Sequence, residues 1–223
     1  MMRRPELPAD IDTLLLDLDG TLLDLEYDNR FWFDEVPRAW AARNGVSAEE
    51  ARVQLAPRFR AIESTLPWYS IDYWTHELQL DIRALKRASA ATIRWLPGAR
   101  EFLTAQRAAG RRLVLATNAH PATLGIKDEA VGIAPYFDAM FSSHQFGAPK
   151  EDPQFWQGLA AVERFDPGHT LFIDDSLRVL AAARAAGIAH VIAVARPDSS
   201  RPARTMPGFD TILTIADLAG DSG

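Results

Sequence analysis

Short apolar runs, each followed by polar residues, recur along most of the chain. The first run covers residues 13–18, and Asp-Gly-Thr follows it closely. Comparable runs cover residues 112–117, 139–142, 170–173 and 190–194. Continuous apolar runs of this length are typical of buried parallel strands, which helices cover on both faces. The pattern therefore predicts about five parallel strands.

Helical periodicity fills the spaces between these runs. One helix is predicted over residues 101–109, ended by Gly110, and another over residues 177–186, ended by Gly187. A predicted strand follows each glycine closely, and a last apolar stretch covers residues 209–218. Alternating helices and strands join parallel strands through right-handed crossovers. We therefore predict an α/β fold with a doubly wound, Rossmann-like parallel sheet.

Residues 26–95 interrupt the alternation. They contain no strand-like run, and four stretches have helical spacing instead, at residues 31–43, 48–66, 73–80 and 82–94. Eleven aromatic residues lie in this segment, as expected if a small helical unit has to fill its own core. We predict a helical cap domain at residues 26–95, inserted into a core domain made of residues 1–25 and 96–223.

Composition and charge narrow the functional classes. The chain has 223 residues, of which 48% are hydrophobic and 24% charged, as in ordinary globular proteins. Its formal net charge of -6 argues against a nucleic-acid partner, because binding a phosphate backbone needs clustered Lys and Arg. The absence of cysteine excludes disulfides, thiolate zinc sites and cysteine nucleophiles.

The pattern contains no segment directed to a membrane. Two arginines near the start are not followed by an apolar run, and no window reaches the roughly 18 apolar residues that a membrane span needs. We therefore expect a cytoplasmic protein without a membrane partner. The oligomeric state is left open.

Two aspartates, Asp17 and Asp19, lie where the first predicted strand ends. Gly20 follows them and allows the chain to turn. Burying a carboxylate beside a run of leucines costs several kcal/mol unless a cation or hydrogen bonds compensate. The pair therefore indicates a functional site.

A second acidic group, Asp174 and Asp175, follows the strand predicted at residues 170–173, with Ser176 next to it. The structural alternative is that one of these residues caps the following helix. A cap needs a single residue, so at least one of the three is available for another role.

The C-terminal ends of strands in an open α/β sheet converge on one crevice. We therefore expect Asp17, Asp19, Asp174 and Asp175 to gather there and to bind a metal ion. Oxygen ligands without His or Cys favour Mg²⁺ over zinc, and Mg²⁺ commonly takes phosphate oxygens as further ligands. The prediction is a Mg²⁺ site that serves phosphate chemistry.

Three further residues fit an anionic substrate. Thr117 and Asn118 end another predicted strand and offer a hydroxyl and backbone N–H groups. Asn118 alone also fits an ordinary turn. Lys150 precedes a helix for which Asp152 is the predicted N-cap and Pro153 the first residue, and such a frame would fix its position. We expect Thr117, Asn118 and Lys150 to bind phosphate.

The order of these motifs, Asp-x-Asp-Gly-Thr, Thr-Asn, Lys-Glu-Asp and Asp-Asp, resembles the haloacid dehalogenase (HAD) superfamily of phosphohydrolases. The resemblance covers residues 14 to about 195 and includes a cap inserted after the first strand. It implies that Asp17 is the nucleophile and Asp19 the general acid and base. It also implies that Thr117 and Lys150 hold the phosphate, while Asp174 and the Leu18 carbonyl bind Mg²⁺ with support from Asp175.

Longer strings at residues 24–32, 117–121 and 143–147 look like the bacterial purine 5'-nucleotidase branch that acts on GMP and IMP. The implied substrate is a small phosphate ester, a purine nucleoside 5'-monophosphate. Aromatic residues of the insertion would stack on a base, and polar ones would reach its edges. The candidate substrate contacts are Arg30, Trp32, Trp68, Tyr69, His120 and His144.

Several alternatives differ from this interpretation in chemistry or substrate. A phosphatase for phosphoglycolate or a sugar phosphate would share every core motif and differ only in the cap. A true dehalogenase needs no acid/base aspartate at the position of Asp19, and a phosphorylated receiver domain carries its acidic motifs in the reverse order. A non-catalytic binding protein on the same scaffold is the remaining alternative.

Overall fold

The computed structural model describes residues 7–8 and 10–218. The two arginines near the start, Arg3 and Arg4, lie outside the described residues, and so do both ends of the predicted core domain, residues 1–6 and 219–223. The described part contains one sheet with strand order β3-β2-β1-β4-β5-β6, all parallel. Its strands are β1 Thr13–Leu16, β2 Arg112–Thr117, β3 Ala139–Ser142, β4 Thr170–Asp174, β5 His190–Val194 and β6 Asp210–Ile212.

The described part of the chain contains ten α-helices. They are α1 Glu26–Arg30, α2 Val36–Asn44, α3 Ala48–Ala61, α4 Leu66–Tyr69, α5 Ile71–Leu78, α6 Ile82–Ser89, α7 Ala99–Ala108, α8 Pro121–Val131, α9 Pro153–Val162 and α10 Leu177–Ala185. A π-helical turn, Phe31–Glu35, joins α1 to α2. No helix within residues 10–218 is both long and apolar enough to cross a bilayer.

The predicted doubly wound parallel sheet is confirmed, with six strands instead of about five. The additional strand, β6, has only three residues, and a 3₁₀ turn at Ile215–Leu218 follows it. The apolar stretch at residues 209–218 thus divides into two elements too short for a periodic signal. The first strand ends at Leu16 rather than at residue 18, because the chain turns out of the sheet towards Gly20, whose φ is +89°.

The sheet separates two apolar layers. Leu14 and Leu16 of β1 pack into one cluster and Leu15 into the other, because neighbouring side chains of a strand point to opposite faces. All three are fully buried, and burial of one leucine contributes roughly 1.5–3 kcal/mol. The polar residues that follow β1 are thereby held at the edge of a rigid sheet.

Helices α1 to α6 lie between β1 and β2, within the segment predicted as a cap. They share a third apolar cluster, in which Phe31, Phe59 and Trp74 are buried. The helix predicted over residues 48–66 ends at Ala61, since Ser64 adopts a left-handed φ of +63° that a helix cannot continue. The stretch predicted as 73–80 is α5, which begins at Ile71.

Two chain segments connect this helical insertion to the sheet. Asp24 lies on the outgoing segment and Arg94 on the returning one, and their ion pair is 3.0 Å long. The Asp24 N–H also donates to the Arg94 carbonyl, at 2.9 Å. Asn29 of α1 donates to Asp198 of the sheet domain, at 2.7 Å. These contacts hold the insertion above the C-terminal ends of the strands.

Candidate active site

Three carboxylates meet where β1 and β4 end. Asp17 directly follows β1, and its N–H donates to the Ile173 carbonyl in β4 at 3.0 Å. Asp174 is the last residue of β4, and Asp175 follows it. One oxygen from each of Asp17, Asp174 and Asp175 lies within 4.8 Å of the others, so that the group could hold a metal ion. The side-by-side pairing of β1 with β4 is what brings the three together.

Lys150 extends into this group from the loop before α9. Its Nζ donates to Asp17, to Asp174 at 2.7 Å and to the Ala116 carbonyl at 2.9 Å. The predicted helix start behind it is confirmed, because Asp152 accepts from the Gln154 N–H at 2.8 Å and Pro153 is the first residue of α9. The Lys150 ammonium group is therefore fixed between two carboxylates.

Burial raises the pKa of all three carboxyl groups. The pKa of Asp17 is raised to about 7 by burial, although Lys150 opposes this, and the charges of Asp174 and Asp19 add to the rise. Burial likewise raises the pKa of Asp174 to about 6 and that of Asp175 to about 6. The nearby cations thus do not fully compensate the negative charge, and a hard divalent cation fits this all-oxygen set.

The turn at Gly20 depends on the absence of a side chain. A Cβ atom at Gly20 would lie 2.7 Å from the Pro197 Cβ and 2.9 Å from the Asp175 Cγ. Asp175 is held against this turn by Arg204, whose Nη2 donates to its Oδ2 at 2.8 Å. The close approach brings the turn after β1 and the residues after β4 together around the carboxylates.

Thr117 and Asn118 lie at the end of β2, beside the carboxylates. The Thr117 hydroxyl accepts from the Ala119 N–H at 3.0 Å. The Asn118 carbonyl oxygen accepts from the Lys150 N–H at 2.9 Å, and its amide donates to Glu151 at 3.0 Å. The Asn118 side chain therefore connects the loop after β2 to the loop that carries Lys150.

Asp19 lies outside the group of three carboxylates and has a different cation. Lys127 of α8 donates to Asp19 at 2.6 Å and to Asp28 of α1 at 2.5 Å. Asp28 in turn accepts from Lys86 of α6 at 2.9 Å. This chain of alternating charges, Asp19–Lys127–Asp28–Lys86, has buried lysines and partly buried aspartates, and it connects the sheet domain to the insertion.

The charges in this chain alter each other's protonation. Burial raises the pKa of Asp19 despite Lys127. Burial acts in the same direction on Asp28, but Lys127 and Lys86 together hold its pKa well below the usual range. The pKa of Lys127 lies above its usual range because Asp19 and Asp28 outweigh the effect of burial.

Sequence analysis missed Lys127, Asp28 and Lys86. Lys127 is 1% exposed and lies one turn after the buried Thr123, and Lys86 lies one turn after the buried Ile82. Lysines on the buried face of a helix would have been the available signal, since lysine is seldom buried without a partner. Their partners lie on other elements, which local spacing cannot identify.

A cavity of about 330 Å³ opens above the carboxylates, between the sheet domain and the insertion. Four of the six candidate substrate contacts line it: Trp32, Trp68, Tyr69 and His120. The other two are not among its lining residues. Arg30 pairs with Glu35 at 3.1 Å and also contacts Thr92, and the His144 ring packs edge-on against His120, 4.8 Å between centroids.

Tyr69 and His120 join parts of the site that are distant in sequence. The Tyr69 hydroxyl donates to Glu151 at 2.7 Å, so the insertion is connected to the loop that carries Lys150. His120 accepts from the Ala122 N–H at 3.2 Å and caps α8. Burial lowers the pKa of His120, and burial together with His120 lowers the pKa of His144 to about 4.

Comparison of the sequence with known proteins identifies the family of this chain. A model of haloacid dehalogenase-like hydrolases matches residues 11–187. The GMP/IMP nucleotidase YrfG of Escherichia coli (strain K12) is 42% identical over 190 residues, which is 85% of this chain and 86% of that protein. A phosphoglycolate phosphatase of Nitrosospira multiformis is 32% identical over 195 residues, which is 84% of each chain.

Solved structures agree on the fold. A HAD phosphatase from Thermococcus onnurineus superposes with a TM-score of 0.77 at 20% identity, over 92% of this chain and 94% of that one. A predicted phosphoglycolate phosphatase from Haemophilus somnus gives a TM-score of 0.69 at 19% identity, over 94% and 96%. At such identities the likeness concerns the fold alone. Because the family model matches residues 11–187, which is most of the chain, this chain belongs to the haloacid dehalogenase-like hydrolases.

Proposed function

We propose that this protein is a Mg²⁺-dependent phosphatase that hydrolyses phosphate monoesters through a covalent phosphoryl group on Asp17. The observation that carries the proposal is the separation of two aspartates. Asp17 lies in a carboxylate group with Lys150, whereas Asp19, two residues later, pairs with Lys127. One aspartate is thereby available as a nucleophile and the other as an acid and base.

In the first step, an Asp17 oxygen attacks phosphorus and the bond from phosphorus to the ester oxygen breaks. Asp19 donates its proton to the departing alkoxide, and burial favours that protonated state by raising its pKa. Lys150 and Thr117 hold the phosphoryl oxygens. Asp17, Asp174 and Asp175 would hold Mg²⁺, which supplies positive charge against the repulsion between carboxylate and phosphate.

In the second step, Asp19 accepts a proton from water, whose oxygen attacks phosphorus. The bond between phosphorus and Asp17 breaks, inorganic phosphate leaves, and Asp17 returns as a carboxylate. Lys127 holds Asp19 in both steps through its 2.6 Å contact. A positioned acid and base of this kind typically accelerates such steps about 10² to 10⁴-fold.

The proposed substrates are purine nucleoside 5'-monophosphates, GMP and IMP. Support comes from the relative with 42% identity, which is named a GMP/IMP nucleotidase. Further support comes from the cavity, which has Trp32 and Trp68 among its walls. Indole rings provide surface on which a base can stack.

Phosphate release from the purified protein tests this proposal. The substrates are GMP, IMP, AMP, a pyrimidine monophosphate, phosphoglycolate and ribose 5-phosphate, each with Mg²⁺ and with a chelator. We expect release that the chelator abolishes and that is fastest with GMP and IMP. Release unaffected by chelator would contradict the metal-dependent mechanism, and no release from any ester would favour a non-catalytic binding protein.

The second candidate function is hydrolysis of phosphoglycolate or a sugar phosphate. The relative with 32% identity, named a phosphoglycolate phosphatase, favours it. The same assay decides between the two, because either of these substrates would then be hydrolysed faster than the nucleotides. The core chemistry would be unchanged, and the specificity proposed above would be wrong.

A further inference from the structure

An apolar groove within the insertion adjoins the cavity above the carboxylates. This groove has a volume of about 380 Å³ and lies against α3, whose residues Leu55 and Phe59 line it. The cavity and the groove share four lining residues: Trp32, Phe33, Glu63 and Trp68. These four residues therefore form a common border, which a ligand whose phosphate lies at the carboxylates can reach from the cavity.

Glu63 and Trp68 mark the junction of these spaces. Both residues also border a third cavity, on the sheet side, that Arg178 and Arg204 line. Glu63 is exposed, and no ion pair among the described residues engages its carboxylate. Arg52, which lines the same groove, pairs with Asp34 and Glu49. The Glu63 carboxylate is therefore available as a charged hydrogen-bond acceptor where the cavity borders the groove.

The loop that carries Glu63 is held in an unusual conformation. Ser64, the next residue, has a φ of +63°, which residues other than glycine seldom adopt. Its hydroxyl accepts from Arg178 of α10 at 2.8 Å, and the Thr65 N–H donates to the Ile62 carbonyl at 3.1 Å. Strained backbone of this kind is concentrated at functional sites, where the surroundings hold it in place.

This combination of groups matches one class of nucleobase. A 6-oxopurine presents flat faces and an N1–H donor on its Watson–Crick edge, and guanine adds a 2-amino group. Adenine presents an acceptor at N1, which a carboxylate repels. Arg60 also lines the groove, where its guanidinium can donate to a carbonyl oxygen.

We propose that Glu63 determines the base specificity of this enzyme, with its carboxylate accepting from N1–H of a 6-oxopurine that lies beside Trp68, where the cavity borders the groove. The proposal rests on the proposed function for the position of the phosphate. It goes further by identifying the residue that distinguishes guanine and hypoxanthine from adenine. A pyrimidine attached to the same phosphate would cover less of the aromatic surface.

The first experiment compares wild type with Glu63→Gln on GMP, IMP, AMP and ribose 5-phosphate. We expect the ratio of kcat/KM for GMP to that for AMP to fall about 10 to 100-fold in the variant, because hydrogen bonds to a charged acceptor contribute strongly to discrimination. The matched control is Glu77→Gln, which removes the same charge from an exposed position of α5. Its ratio should remain within about 2-fold of wild type.

The outcomes separate this inference from the proposed function. An unchanged GMP to AMP ratio in Glu63→Gln, with wild type preferring GMP, would overturn the role of Glu63 and leave the nucleotidase function intact. Equal loss on ribose 5-phosphate and GMP would also overturn it, since ribose 5-phosphate has no base. A wild type that prefers ribose 5-phosphate would contradict both.

Calorimetry keeps the inference testable even where turnover is absent. GMP, AMP and ribose 5-phosphate are titrated with Mg²⁺ into Asp17→Asn and into the same variant with Glu63→Gln added. We expect GMP to bind Asp17→Asn more tightly than AMP does, and Glu63→Gln to remove most of that difference. Equal affinities for GMP and AMP in Asp17→Asn would refute the role of Glu63, whatever the catalytic result.

Discussion

Asp17 and Asp19 are two residues apart, yet different cations hold them. Asp17 contacts Lys150, from the loop before α9, whereas Asp19 contacts Lys127 of α8. Their chemical difference arises from these partners and from burial, because the two side chains are identical. At the scale of the residue, the different roles proposed for the two aspartates therefore depend on which lysine contacts each of them.

Replacing Asp17 should affect turnover far more than replacing Asn118. We expect Asp17→Asn to lower kcat by at least about 10⁴-fold, because the proposed mechanism forms the covalent phosphoryl group on Asp17. Asn118→Ala should lower kcat about 10-fold and destabilise the fold by roughly 1–3 kcal/mol, since it removes the contacts to Lys150 and Glu151.

Steady-state phosphate release and chemical denaturation measure these two effects. Mass spectrometry of the Asp17→Asn protein serves as the control against deamidation back to aspartate. Near-normal turnover by an undeamidated Asp17→Asn protein would show that the assigned nucleophile is wrong.

Stability of the metal-free protein should depend on pH through the same carboxylates. Their folded pKa values, about 7 for Asp17 and about 6 for Asp174 and Asp175, exceed the ordinary value of 3.8. The folded state therefore binds protons that the unfolded chain has lost, and their stabilising contribution is complete below pH 3.8. It disappears as the pH rises through about 6 to 7, so these groups should make the metal-free protein less stable at pH 8 than at pH 5.5.

Mg²⁺ should reverse this loss, because a metal ion and protons compete for the same oxygens. Saturating Mg²⁺ should raise Tm by about 2–4 °C at pH 8 and by less than half as much at pH 5.5. Calorimetric melting curves with Mg²⁺ and with a chelator provide the measurement. An equal increase at both pH values would contradict metal binding by these carboxylates.

At the scale of the element, α9 shows how a helix start supports the site. Asp152 caps α9, and the Lys150 carbonyl accepts from the Trp156 side chain of the same helix at 2.8 Å. The loop of Lys150 is therefore a rigid extension of α9. The start of α9 was predictable from sequence, because an N-cap residue and a first-turn proline are local signals. The end of α3 was not, since the left-handed Ser64 that follows it is bonded to a distant arginine.

Two substitutions that each remove a helix N-cap should separate effects on stability from effects on activity. Asp152→Ala and Ser47→Ala each remove the N-cap of a helix, α9 and α3 respectively, and should each cost about 1 kcal/mol of stability. Only Asp152→Ala should also lower kcat, because α9 alone carries the Lys150 loop. Urea denaturation and phosphate release measure the two quantities, and an equal loss of kcat in both variants would refute this view of α9.

At the scale of the whole molecule, buried charges link the sheet domain to the insertion. Lys127 belongs to a helix that follows β2, whereas Asp28 and Lys86 belong to α1 and α6 of the insertion. The position of Asp19 in the site is therefore coupled to the placement of the insertion. The bounds of the insertion as a separate domain, residues 26–95, stay a prediction.

Removing Lys127 should leave Asp19 and Asp28 without their shared cation. We expect Lys127→Met to lower the free energy of unfolding by about 3–5 kcal/mol. The reason is that Asp19 and Asp28 would keep their negative charges inside the protein without the positive charge that compensates them. The substitution should also lower kcat, since Asp19 loses its positioning contact. Lys127→Arg, which keeps the charge, should recover part of both losses, and a Lys127→Met protein as stable and active as wild type would contradict the coupling.

The sequence by itself determined the class of fold and the motifs of the candidate site. Apolar runs ending in Asp17, Thr117 and Asp174 are local patterns, and the rule that parallel strand ends converge brings them to one edge. Periodicity could not reveal the short β6, because three residues carry no period.

Only the tertiary structure decided which charges pair and which surfaces face the cavity. Lys127 lies 108 positions from Asp19 along the chain, and no local pattern relates residues so far apart. Arg30 and His144 have polar side chains suited to a substrate, but neighbours in the fold engage Arg30 and cover His144. Glu63 acquired its place at the junction of three cavities in the same way, through the packing of the insertion over the sheet. Side-chain chemistry is local in sequence, whereas burial and partnership depend on packing among distant segments.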